Sequence, residues 1–96
     1  MRAFQVDNFA DGAQLAITQQ PTPSKGEVLL KIDACGLNFA DLLMANGTYQ
    51  DTPNPPFSLG MEVCGTVVSL GEGVDTPALG TRVAVFGGSG GLAEFG

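Results

Sequence analysis

The sequence has no histidine, no tryptophan, one tyrosine, two cysteines and four basic side chains among its 96 residues. Without histidine, neither a His-based zinc site nor a His-based catalytic triad can be assembled. The basic residues Arg2, Lys25, Lys31 and Arg82 are scattered and stand against ten acidic ones, for a net charge of -6. Nucleic acids and anionic membranes are bound by clustered Lys and Arg, so both are excluded as partners. Cys35 and Cys64 are too few for a disulfide scaffold and wrongly spaced for a metal pair, so they are read as reduced thiols. No apolar h-region follows Met1-Arg2, and no apolar run approaches the ~20 residues that span a bilayer. A cytoplasmic address is expected. Charged residues are only 15% of the chain and hydrophobic ones 44%. That balance excludes disorder and leaves a thin polar coat for one small domain.

What the chain does have is alternation. Val28, Leu30, Ile32 and Ala34 interleave with Glu27, Lys31 and Asp33, a period of two that predicts a strand with one buried face. Leu15 and Ile17 alternate with Gln14, Ala16 and Thr18 in the same way. Met1–Asp7 and Gln14–Gln19 are predicted to pair across a turn at Asp11-Gly12. Val63–Leu70 carries Val67 on one face and Cys64, Val68 and Leu70 on the other, as a strand covered on both faces would. Thr81–Phe86 is another short strand, and Leu92–Phe95 starts one more. Pro53, Pro55 and Pro56 make 51–56 extended and poor in donors.

One helical patch interrupts the strands. Asn38–Gly47 places Phe39, Leu42 and Leu43 on one face. Asn38 can cap the first turn, Asp41 sits near the positive end of the helix dipole, and Asn46-Gly47 supplies a left-handed stop. The pattern is mainly β: a barrel or sandwich, mostly antiparallel, with one short helix.

Gly88, Gly90 and Ala93 fit the G-x-G-x-x-A spacing of a dinucleotide loop. That chemistry needs a helix whose first amides meet a pyrophosphate, and an acidic residue about twenty positions on. Only Glu94-Phe95-Gly96 follows, so 87–91 is read as a glycine loop between strands.

From Gly26 to Phe95 the chain resembles the catalytic domain of the medium-chain dehydrogenase/reductase superfamily, and within it the zinc-independent quinone oxidoreductases of the zeta-crystallin type. The matching pieces stand in order. They are Gly26–Ile32, Gly36–Asp41, Asn46-Gly47-Thr48-Tyr49, the P-x-x-x-G-x-E-x-x-G-x-V segment Pro56–Val67, Gly80-Thr81-Arg82-Val83, and Gly91-Leu92-Ala93-Glu94-Phe95. Thr81 departs from the aspartate usual in the G-D-R-V turn. The resemblance implies a GroES-like, partly open β-barrel over residues 1–96, NADPH as cofactor, and hydride transfer to a quinone or similar acceptor. It also implies a homodimeric parent whose cofactor lies mainly in a Rossmann domain absent here, so the segment alone is expected to be inactive. On this expectation the sheet is cut at Phe95-Gly96 and left with an unpaired edge.

The resemblance also bears on zinc. Asn38 and Met61 stand where the zinc branch has its Cys and His ligands, so no metal is expected. Asn38 resembles the family residue beside nicotinamide and acceptor; it equally reads as a helix cap. Tyr49 resembles a tyrosine of the acceptor pocket, where a phenol can hydrogen-bond a quinone oxygen; it equally reads as an amphipathic surface side chain. Asp41 can orient Asn38, contact substrate, or only partner the dipole. Glu62 resembles the acid beside the metal site, and with Met61 is placed in the substrate pocket; the alternative is a buried group or an ion pair with Arg82. Cys64 is read as core filler. Two other readings remain open: an independent GroES-like binding module, and an enoyl-thioester reductase of the same superfamily.

Overall fold

The computed structural model describes residues 1–96. Its elements are β1 (Arg2–Val6), β2 (Ala13–Ile17), β3 (Val28–Gly36), α1 (Phe39–Ala45), β4 (Phe57–Ser58), β5 (Glu62–Leu70) and β6 (Arg82–Phe86). β1 and β2 form the predicted antiparallel pair, with Phe4 opposite Leu15. The reversal between them is held by Asn8, whose Oδ1 accepts the Asp11 N–H at 2.9 Å and whose Nδ2 donates to the Asp11 carboxylate at 2.9 Å. A short polar side chain thus replaces ladder bonds in a turn.

Two three-stranded sheets result, ordered β2-β1-β4 and β3-β5-β6. They are stitched along one seam by residues 92–96. Phe4 N–H donates to the Leu92 carbonyl and Glu94 N–H to the Arg2 carbonyl, while Ile32 N–H donates to the Glu94 carbonyl. Gly96 exchanges both its backbone bonds with Leu30. The extended tail therefore lies between β1 and β3, and the fold is the expected partly open barrel with one short helix. Residues 92–95 make single bridges, Ala3 to Ala93 and Lys31 to Phe95, and not the ladder of a full strand. The expected unpaired edge at Phe95-Gly96 is corrected: the outermost strands are β2 and β6.

The main core lies where α1 meets the end of β1, β4 and the residues just before β5. Val6, Met44, Phe57, Leu59 and Met61 form one buried cluster, with Tyr49 and Leu92 packed against it. Four patterning expectations fail. On α1, Phe39 is 73% and Leu42 63% exposed, whereas Met44 and Asp41 are buried. The helix is turned by a polar anchor described below, which outranks the apolar stripe. On β2, Leu15 and Ile17 are exposed because the sheet ends there and nothing covers that face. On β3, register shifts between Leu29 and Leu30 and between Ile32 and Ala34 break the alternation. Leu29 and Leu30 are consequently both buried and Ala34 is exposed. Val67 is buried on β5, but Val68 is exposed, so that strand is covered on one face only.

The cysteines are free. Cys35 stands opposite Val63 and Cys64 opposite Ala34. Directly opposed residues share a face, so the two thiols point to opposite faces of the sheet.

Candidate active site

The site is built from the N-terminus of α1. Asn38 is its N-cap, in extended conformation at φ -126° and ψ 155°. Three residues on, the Asp41 carboxylate reaches back, and its Oδ2 accepts the Asn38 N–H at 2.9 Å. Its other oxygen, Oδ1, accepts the Gly60 N–H at 3.1 Å. A carboxylate only 4% exposed thus ties the first turn of the helix to the residue before Met61. Backbone N–H donors and the positive end of the helix stabilise the charge.

Gly60 is required at its position. Its φ is +106°, and a Cβ there would stand 2.5 Å from the Leu92 nitrogen and 2.8 Å from Cys35 Sγ. Chain 58–61 is in turn paired with the glycine loop. Gly87, Gly90, Gly91 and Leu92 donate their N–H groups to the carbonyls of Met61, Ser58, Gly60 and Leu59. Three of the loop's five amides are therefore already engaged, and 92–96 run extended along the seam. A phosphate cradle needs free amides, so 87–91 is the inter-strand connection expected from the sequence.

Asn38 keeps one unusual feature. Its side-chain nitrogen Nδ2 is buried and has no hydrogen-bond partner. Buried donors are nearly always paired, so an unpaired one calls for an acceptor.

Met61 and Tyr49 are brought together. They line a cavity of about 300 Å³ with Met44, Phe86 and the glycines at 87 and 88, and with Asp51 as its charged member. Asn38 is not in that wall; it is joined to it through Asp41 and Gly60. Glu62 is placed elsewhere. It is exposed, its carboxylate lies against Gly36, and it lines a separate groove with Cys64, Val85 and Phe86. The alternative reading of Glu62 is corrected: it is neither buried nor paired with Arg82, which stands 3.7 Å from Asp33. Cys35 sits between these acids. Burial, followed by the charges of Asp41 and Glu62, pushes its thiol up from the ordinary value, so it is a poor nucleophile. The largest apolar hollow, lined by Phe4, Leu15, Leu37 and Leu92 among others, holds none of the candidate residues.

Sequence reasoning missed Met44, Asp51, Phe86 and Gly60. The proline-rich turn carried Asp51, and the end of a predicted strand carried Phe86. Nothing local said that either faces Tyr49.

A family model described as the alcohol dehydrogenase GroES-like domain matches residues 24–95. The chain belongs to this family. Among relatives of this GroES-like chain, the synaptic vesicle membrane protein VAT-1 homolog of Rattus norvegicus is 49% identical over 70 residues, covering 73% of the chain and 17% of the relative. Quinone oxidoreductase of the same organism is 37% identical over 99 residues, 99% of the chain and 30% of the relative. A quinone oxidoreductase from Thermus thermophilus, solved alone and in complex with NADPH, superposes with a TM-score of 0.80 at 38% identity, over 100% of this chain and 29% of that one. The GroES-like chain spans less than a third of the length of these proteins. No helix in it is long and apolar enough to cross a membrane.

Proposed function

We propose that this chain forms the acceptor side of an NADPH-dependent, zinc-independent oxidoreductase that passes hydride to a quinone or a similarly activated carbonyl or alkene. The observation that carries this reading is the buried, unpaired Asn38 Nδ2, on a residue whose backbone is tied through Asp41 to Gly60, the neighbour of the cavity residue Met61. A donor without a protein partner is what a developing oxyanion, or a nicotinamide carboxamide oxygen, can take up.

The roles follow from chemistry. Asn38 donates to cofactor or acceptor oxygen, Asp41 is the positioning residue, and the Tyr49 phenol donates to an acceptor oxygen. Met44, Met61 and Phe86 exclude water around a flat apolar molecule. The nicotinamide, when bound, supplies the hydride. Of the residues present, Asn38 fits its carboxamide end, and the loop 87–91, with three of its five amides engaged, makes no cradle for its phosphates. The NADPH complex of the Thermus enzyme supports the choice of cofactor. Zinc independence rests on the donor set. Asn38 and Met61 offer an amide and a weak thioether, and no three Cys, Asp or Glu side chains converge into a ligand set.

A chimera tests the reading. Residues 1–96 replace the corresponding segment of the Thermus quinone oxidoreductase. The chimera oxidises NADPH with a quinone and keeps its rate in a zinc chelator. Asn38→Ala in it lowers kcat by roughly a hundredfold, the usual cost of one oxyanion donor. Residues 1–96 alone oxidise no NADPH. A chimera that folds and binds NADPH but reduces no quinone, or one indifferent to Asn38→Ala, would defeat the reading.

A further inference from the structure

The Tyr49–Met61 cavity has a charge pattern that the reaction does not itself demand. Its only charged wall residue is Asp51, which is exposed at the rim. The adjoining groove, which shares Phe86 with it, has Glu62 as its only charged residue. Asp41 lies buried beneath, with Gly60 between it and Met61. All three are carboxylates. The cations are engaged or distant: Arg82 faces Asp33, Arg2 faces Glu94, Lys31 stands opposite Thr66, midway along β5, and Lys25 lies in the turn before β3. No Lys or Arg lines either hollow.

From this we infer that Asp51 and Phe86 determine the specificity of the acceptor site, selecting a neutral, flat, apolar acceptor and rejecting anionic ones. The inference rests on reading the cavity as the acceptor site. Phe86 ends β6 with its ring 73% exposed, and supplies an aromatic wall at little folding cost. Asp51 repels a negative substituent at the mouth. An acyl thioester on a phosphate-bearing carrier has no cation here to meet it. A quinone ring needs none.

The chain reports on itself. It has one tyrosine and no tryptophan, so its ultraviolet emission comes from Tyr49 alone. The 96-residue chain is titrated with 2-(hydroxymethyl)anthraquinone and with anthraquinone-2-sulfonate, which share a ring system and differ in charge. Emission and lifetime are both followed, so that bound-state quenching is separated from collision. The neutral probe quenches saturably and binds roughly fivefold tighter than the sulfonate at low salt, the scale of a few charges acting through water. Asp51→Asn, or 0.5 M salt, cuts that ratio at least twofold through lost repulsion or screening. Phe86→Ala weakens both probes by roughly threefold or more, with the loss of one stacking surface. Both positions are exposed, so neither change threatens folding.

The failures are distinct. Saturable binding with a ratio insensitive to Asp51→Asn and to salt, or unaffected by Phe86→Ala, overturns this inference and leaves the acceptor site standing. Collisional quenching only, for both probes, overturns the acceptor site and this inference together.

Discussion

Met44 and Phe86 face the same cavity, yet Met44 is 1% exposed and Phe86 73%. Met44 belongs to α1, which is bolted to the β5 side of the barrel by a buried carboxylate and packs on Val6, Phe57 and Leu59. Phe86 belongs to an edge strand with one neighbour and nothing over its face. The two regions divide the labour. The helix end is tied down by a buried carboxylate, and the β6 edge leaves an apolar wall uncovered. In the first, a polar bond orients the apolar residues. In the second, apolar residues have no partner that could bury them.

The sharpest way to break that contrast is at Asp41. Asp41→Leu leaves the Asn38 and Gly60 amides without their acceptor in a buried place, which costs about 3 kcal/mol. Urea unfolding would read it, and Asp41→Asn, which keeps one acceptor, would lose about half as much. If Asp41→Leu unfolds at the parent's denaturant midpoint, the carboxylate is not what anchors α1.

A second comparison lies inside the helix. Met44→Ala is expected to cost about 3 kcal/mol, as for a fully buried side chain, and Phe39→Ala under about 0.5 kcal/mol. Equal losses in thermal melts would mean that the apolar stripe read from the sequence is the buried face after all.

The smallest effect concerns the seam. The Arg2 N–H donates to Glu94 Oε1 at 2.6 Å, and Arg2 Nε lies 3.4 Å from the same oxygen. These contacts, the backbone bond foremost, hold the Glu94 carboxyl below its ordinary value of 4.5. A lowered folded-state value means that the contact stabilises fully above the ordinary value and is lost as pH falls through the lowered one. Amide exchange at Arg2 and Phe4 should therefore accelerate, beyond its intrinsic pH trend, only below the ordinary carboxylate range. Glu94→Gln should abolish that acid step. A step that survives Glu94→Gln belongs to another carboxylate.

Much of the fold was legible in the chain. The β1–β2 pair, the strand at Val28, the β5–β6 pair, the Asn38 cap and the Asn46-Gly47 stop all follow from local chemistry. So does the glycine loop after β6. The buried face of α1 was not legible. Phe39, Leu42 and Leu43 form a plausible stripe, and only the long-range bond from Asp41 to Gly60, nineteen residues away, turns the helix the other way. The bulges in β3 escaped for the same reason, being set by the partner strand. In the site, Asn38, Asp41, Tyr49 and Met61 were named from the order of motifs. That Glu62 lines the adjoining groove, and that Asp51 and Phe86 line the cavity, was not.

By itself, then, the sequence determined the chemistry on offer. With no histidine, an amide at Asn38, a thioether at Met61, and acids outnumbering bases, it set which side-chain groups are available. Those are properties of side chains and need no coordinates. Only the tertiary structure decided which groups meet. A buried carboxylate turned α1, a tail lying between β1 and β3 closed one side of the barrel, and an edge strand brought Phe86 to Tyr49. Each depends on hydrogen bonds and contacts between residues far apart in sequence, whose pairing no local pattern encodes.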